Sequence, residues 1–279
     1  MFGREYATHL DILLQSFGEI KEEYKKKINK DNIFIERLKI LYVLLFGIPE
    51  IGFQIRSDYF KKILKLRLTN KNFKKILDAG CGIGIYSFLL ARSFPKGKIT
   101  GIDIDKSKLK SCENIASELK IKNTEFSYSD VLKLPNINYD LIVNIDVLEH
   151  VENYGTALKN FYDALNKSGY LYIHVPQPNQ DKKRIFSSFK NWHHEGHIRE
   201  GISKLDLENV LRKLGFKLIL SKETFGFFGK LSWELNHMML SKSFVLAGIF
   251  FPLLYVLAKI DLWNYNKNGL GVAILAKKE

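Results

Sequence analysis

The chain is poor in cysteine: 279 residues hold two, Cys81 and Cys112. Two thiols cannot build a disulfide framework. Their spacing fits no Cys-x-x-Cys redox pair or zinc-ligand set, so a reducing, cytoplasmic setting is expected. Proline is also scarce, at six, and no segment has the compositional bias of a disordered linker. No fixed period marks a repeat architecture. The opening stretch MFGREYATHLDILLQSFGEI lacks a basic head followed by a long apolar run, so no signal peptide is expected. Acidic residues are in the minority as well. Thirty Asp and Glu stand against 43 Lys and Arg, leaving a net charge of +13. That balance suits an anionic partner, nucleic acid or an acidic membrane surface, but charge alone argues solubility and weak association rather than a site.

Core material, by contrast, is ample. The chain is 46% hydrophobic, enough for one large domain or a domain with additions. Up to about residue 72 the pattern is helical: ERLKILYVLLFGI ends at Pro49, and SDYFKKILKLRL has helical apolar spacing with Ser57 or Asp58 as cap. The middle alternates. KKILDA, KITGID, TEFSYSD, YDLIVNID, GYLYIHV and KLILSKE read as strands, and IYSFLLARSF, KSKLKSCENIASELK, TALKNFYDALN and LDLENVLRKLGF as the helices between them. Such alternation predicts an α/β domain with a mainly parallel sheet. A last strand, GVAILAKK, follows an insertion far longer than an ordinary connection. The expected division is a helical cap over 1–72, an α/β domain over 73–223 plus 269–279, and a hydrophobic helical insertion over 224–268.

The loop ILDAGCGIG lies where the first of these strands gives way to a helix. It is not the dinucleotide fingerprint G-x-G-x-x-G, because position 85 is Ile85 and the third glycine comes early, at Gly84. Glycines are needed where the backbone turns sharply and a ligand must touch it without an intervening Cβ. The helix beyond offers unpaired N–H groups. After the next strand, GIDID places Asp103 where a carboxylate can accept from two ribose hydroxyls. After the third, SDVLKLP places Asp130 where it could meet an adenine amino group. Three such signals at three successive strand ends point to one ligand along that edge.

ILDAGCGIG, GIDID, SDVLKLP and YDLIVNIDVLEHV together resemble the class I S-adenosylmethionine-dependent methyltransferases, over residues 73–223 and the terminal GVAILAKK. The resemblance implies a doubly wound, Rossmann-like, seven-stranded sheet whose last strand is antiparallel. It implies S-adenosylmethionine as cofactor, its methionine part held by Asp78 and the Gly80–Cys81–Gly82–Gly84 loop. Asp103 would take the ribose, Ile104 the adenine face, and Asp130 with Val131 the adenine amine. Asn144 and Ile145 would line the methyl-bearing end.

Methyl transfer to a hydroxyl needs alignment and a base with a pKa near the working pH. In DVLEHV, a helical turn from Asp146 would put Glu149 and His150 beside it on one face. Two carboxylates and an imidazole could form a general-base site or hold a divalent ion such as magnesium. This stretch is similar to the LEHV segment of the ubiquinone-biosynthesis O-methyltransferases. In NWHHEGHIRE, His197 and Arg199 match a segment of related methyltransferases that approaches the acceptor, so His197 is a second candidate base. No zinc set is expected there, since no cysteine accompanies the histidines.

Two apolar stretches, 40–48 and 244–258, lie outside the catalytic module. The second is uncharged but shorter than the ~20 residues that span a bilayer, and Pro252 should kink it. With nearby lysines and the bracketing Trp233 and Trp263, these stretches fit a peripheral, interface-bound enzyme. They equally fit a cap in which the two pack on each other. Phe250, Phe251 and Leu254 are the residues whose exposure separates the two readings. The acceptor expected by analogy is a hydroxyl on a hydrophobic or lipid-linked small molecule, or on a glycan. Two rivals remain: an RNA methyltransferase, for which the sequence shows no RNA-binding module, and a catalytically silent cofactor-binding protein. No DNA partner is expected, and the oligomeric state leaves no signal.

Overall fold

A computed structural model describes residues 50–186, 198–264 and 266–279. His197, with the rest of its histidine cluster, and the apolar stretch 40–48 lie outside the described residues. The strands are β1 (Lys75–Ala79), β2 (Lys98–Asp103), β3 (Thr124–Tyr128), β4 (Tyr139–Ile145), β5 (Leu165–Pro176), β6 (Phe216–Thr224) and β7 (Gly271–Lys278). The helices are α1 (Ile51–Ile63), α2 (Ile85–Ser93), α3 (Lys106–Glu118), α4 (Tyr154–Ala164), the short α5 (Gln180–Lys183), α6 (Lys204–Lys213), α7 (Phe227–Leu240) and α8 (Phe244–Asp261).

The strands form one sheet in the order β3-β2-β1-β4-β5-β7-β6. β1 to β5 pair in parallel, while β7 runs antiparallel to both β5 and β6. Central strands such as KILDA and YDLIVNI are nearly continuous apolar runs because helices cover both faces. One face packs Leu77, Ile142 and Ile173 against α4 and α6 through Leu158, Phe161, Leu207 and Leu211. The other packs Ile76, Leu141 and Tyr172 against α1 and α2 through Phe60, Ile63, Leu90 and Ala91. Strand order reverses between β1 and β4, and that reversal opens a crevice at their carboxyl ends.

The expected strands and the helices between them are where the alternation placed them. α1 differs at its start. It begins at Ile51, capped by Glu50, whose carboxylate accepts from the N–H groups of Gly52 (2.8 Å) and Phe53. Ser57 and Asp58 therefore lie inside the helix, both buried, and Asp58 pairs with Lys259 at 2.7 Å. The apolar spacing was helical, but the cap lay one turn and more upstream.

The long insertion is a helix pair that shares a core with α1. Ile51, Ile55 and Tyr59 of α1 pack with Trp233 of α7 and Phe251, Leu254 and Ala258 of α8. Buried Asp261 closes this unit. It accepts from the Gly226 and Gly229 N–H groups, at 3.1 and 3.0 Å, which are otherwise unpaired at the α7 start. It also accepts from Asn266 Nδ2 at 3.0 Å and from the Tyr59 hydroxyl at 3.2 Å. α8 continues as a helix through Pro252. Of the three residues expected to separate lipid from cap, Phe251 and Leu254 are buried and Phe250 is exposed. The helix has one face in the cap and another outside it.

Candidate active site

The glycine loop leaves β1 with three left-handed residues, Gly80, Gly82 and Gly84, at φ +79°, +53° and +80°. Two of them are glycine for different reasons. A Cβ on Gly80 would stand 2.3 Å from Val147 Cγ2, so the loop can pass the turn after β4 only without a side chain. A Cβ on Gly82 would meet nothing within 4 Å. Its bare backbone faces open space, as a ligand cradle should. The loop is anchored by the Gly80 and Cys81 N–H groups on the Ile102 carbonyl (2.8 and 2.9 Å) and by Gly82 N–H on Asp103 Oδ2 (2.8 Å).

Asp103 therefore sets both the loop and the start of α3, since its Oδ1 accepts from Asp105 N–H at 2.9 Å. Each carboxylate oxygen keeps a further lone pair for a ligand hydroxyl. Ile104 beside it is 67% exposed, a bare apolar surface at the mouth. Asp130 accepts from Leu132 N–H at 2.9 Å, and Val131 packs into the core. Asn144 is buried; its Nδ2 donates to the Ala79 carbonyl at 2.8 Å and its Oδ1 has no partner among the described residues. Ile145 is buried next to it. Asp78 lies beneath the loop, accepting from Ser87 Oγ at 2.6 Å, and burial pushes its carboxyl up to about 7. Cys81 and Cys112 are free and buried; their mutual contact, with burial, holds the Cys81 thiol well above the usual range. The strand-end groups fit the cofactor that the resemblance implies: an open backbone cradle, an acidic acceptor, an apolar face and an orphaned amide oxygen on one edge.

Beside the turn after β4 lies a cavity of about 400 Å³. Asp146, Glu149, His150 and His174 form its polar side, and Phe225, Trp233 and Leu270 its apolar side. Asp146 stands at φ +53° on the turn after β4. Its carboxylate receives Arg56 Nε at 3.0 Å and pairs with His174 Nδ1 at 2.7 Å, while His174 Nε2 meets Thr224 Oγ1 at 3.0 Å. Glu149 is 1% exposed, and its Oε2 has no partner among the described residues. Burial, then the neighbouring Asp146 charge, raises its carboxyl well above the usual range, against the opposing pull of Arg56 and Arg199. His150 is exposed at the cavity edge. Arg199 works from behind: it donates to the carbonyls of Leu148 (2.8 Å), Val151 (2.6 Å) and Glu152 (2.7 Å), stapling the LEHV turn.

Asp146, Glu149 and His150 thus meet at one cavity, but not as a metal-ligand set. Both Asp146 oxygens are engaged by Arg56 and His174, and no group of three or more His, Cys, Asp or Glu among the described residues could hold a metal ion. The divalent-ion alternative that the sequence left open therefore finds no support. Sequence reasoning missed Arg56, His174, Trp233 and His237. His174 carried a signal, as the one histidine in the apolar strand YLYIHV. Arg56 carried none, and Trp233 and His237, with rings 4.7 Å apart on α7, sit in a segment set aside as an insertion.

Residues 70–215 match the family model described as a methyltransferase domain. The (S)-coclaurine N-methyltransferase of Papaver somniferum is 27% identical over 104 residues, covering 37% of this chain and 30% of that protein. The ubiquinone biosynthesis O-methyltransferase of Pelagibacter ubique is 30% identical over 125 residues, covering 43% of this chain and 51% of that one. The aligned part thus spans from under a third to about half of these relatives' length. Among solved structures, geranyl diphosphate methyltransferase in complex with GPP and sinefungin shares the fold, with a TM-score of 0.58 at 16% identity over 80% of this chain and 79% of that one.

Proposed function

The chain belongs to the methyltransferase-domain family, and we propose that it moves a methyl group from S-adenosylmethionine to a hydroxyl of a partly apolar small molecule. One observation carries this reading. A buried carboxyl oxygen of Glu149 lacks a partner, and Glu149 lines a cavity beside the turn after β4, the same turn whose Val147 abuts Gly80 of the glycine loop. The Gly82 backbone, Asp103, Ile104 and Asp130 hold the cofactor, which when bound supplies a methyl group already activated on a sulfonium. What remains for the protein is alignment, worth ~7–11 kcal/mol when reacting groups are pre-placed, and proton removal.

Glu149 takes the acceptor's proton. Burial and the neighbouring Asp146, which Arg56 and His174 hold in place, make it a stronger proton acceptor than an exposed carboxylate. His150, one of the two candidate histidine bases, stands exposed at the rim and serves the exit of that proton. Phe225, Trp233 and Leu270 bury the acceptor's apolar body and exclude water. That wall favours an apolar or lipid-linked acceptor over a glycan.

Calorimetry with S-adenosylmethionine, its demethylated product and NAD tests the cofactor. The first two should bind and NAD should not; NAD binding alone would end this reading. Asp103→Ala should weaken S-adenosylmethionine by ~1.5–3 kcal/mol, a charge-assisted contact. An unchanged dissociation constant would remove Asp103 from the ribose site. Transfer of labelled methyl to a panel of phenols and isoprenoid alcohols then tests the acceptor class.

A further inference from the structure

The outer face of α8 carries a single apolar row. Val245, Ile249, Leu253 and Val256 are each 59–70% exposed, and Ile260 continues the row at 38%. Their spacing of four, four, three and four residues is one stripe of a helix. The opposite stripe, Ala247, Phe251, Leu254 and Ala258, is 0–3% exposed against α1 and α7. A helix that only closed a cap would turn polar residues outward. This one does not. Trp263, 80% exposed, ends the row, with Lys62 Nζ 4.4 Å above its ring.

The charges around the row are sorted by sign. Asp58, Glu234 and Asp261, the acidic residues of α1, α7 and α8, are all buried. Lys242 is exposed just before α8, and Lys62 and Lys259, the latter paired with Asp58, are partly exposed beside its end. An apolar stripe rimmed by cations and closed by an exposed tryptophan matches the boundary of an anionic bilayer, where acyl chains meet acidic headgroups. A second copy fits less well, since a two-fold contact would set the same lysines against each other. Among the described residues no helix is long and apolar enough to cross a membrane.

We propose that the outer face of α8 is a docking surface on which the protein lies against an anionic lipid bilayer, with the helix parallel to the membrane plane. The proposal does not rest on the methyl-transfer reading. Full-length protein should float with vesicles of phosphatidylcholine mixed with phosphatidylglycerol, and less with phosphatidylcholine alone. High salt should weaken the binding without abolishing it, because salt screens charge but not apolar burial. The triple change Ile249→Ser, Leu253→Ser and Val256→Ser should lower partitioning at least about tenfold, since three apolar side chains would no longer be buried in lipid, while leaving the melting temperature and cofactor affinity unchanged. Should the triple variant melt early, the single change Leu253→Asp decides in its place. Wild-type protein that stays off the vesicles, or variants that partition as wild type does, would overturn the proposal. So would a wild-type dimer that the triple change dissolves, because a second copy would then own the face.

Discussion

The proposed cofactor edge and acceptor cavity meet the same turn after β4, where Val147 abuts Gly80 and where Asp146 and Glu149 line the cavity, yet they are built in opposite ways. The edge is assembled from strand ends between Asp78 and Asp130, mostly by backbone: three left-handed glycines and N–H groups anchored on Ile102 and Asp103. The cavity draws residues from Glu50 to Gly271, contributed by the start of α1, the turn after β4, the end of β5 and the short α5, the turn after β6, α7 and the start of β7. A ligand common to a whole family can be held by a local, repeated backbone geometry. An acceptor particular to one enzyme needs side chains that only folding brings together.

The largest expected effect sharpens that division. Glu149→Gln keeps the size of the side chain but cannot take a proton, so turnover should fall ~10²–10⁴-fold with cofactor affinity unchanged by calorimetry. If turnover survives, the base is elsewhere, and His150 or His197 returns to first place.

A pair of glycine changes probes the glycine loop itself. Gly80→Ala must hold a left-handed backbone and also push into Val147, costing about 2–5 kcal/mol of stability in total, with both cofactor affinity and turnover impaired. Gly82→Ala has the backbone penalty alone, about 1–2 kcal/mol, but places its methyl group in the open cradle and should weaken the cofactor disproportionately. Urea unfolding alongside calorimetry separates them; equal losses in both variants would erase the distinction between packing glycine and cradle glycine.

A smaller effect tests the electrostatics beneath the loop. Asp78 has its carboxyl pushed from an ordinary 3.8 up to about 7 by burial. A group whose proton affinity is raised on folding contributes fully only below its unfolded value, and that contribution drains away as pH climbs towards 7. Asp78→Asn cannot ionise. Variant stability relative to wild type should therefore rise between about pH 4 and pH 7.5, by up to roughly 4 kcal/mol, since each pH unit crossed in that window is worth ~1.4 kcal/mol. Denaturant midpoints of the cofactor-free proteins give this directly, and a flat difference would mean that the buried carboxyl ionises as freely as an exposed one.

The legibility of the two regions follows from their construction. Asp103 and the loop glycines could be placed because strand, turn and helix signals lie within a few residues of them. Asp146, Glu149 and His150 were legible as a cluster, but their roles were not. The sequence spacing suggested one shared helical face, whereas Glu149 is buried, His150 is exposed and Asp146 is engaged by Arg56 and His174. Burial and pairing are properties of what packs around a residue, and α1 and β5 are remote in sequence from the LEHV turn. α8 shows the same limit. Its composition revealed an apolar helix, but not which side faced the cap, so Phe251 and Leu254 fitted a lipid face and a cap alike until packing placed them inside.

By itself the sequence determined the order of strands and helices, the glycine loop and the acidic strand ends, because periodicity, turn chemistry and backbone freedom act over short stretches of chain. Only the tertiary structure decided that β7 slots between β5 and β6, that Arg56 and His174 converge on Asp146, and that α8 turns one apolar face inward and another out. Each of these depends on which distant segments pack together, and burial, desolvation and ion pairing exist only once they have done so.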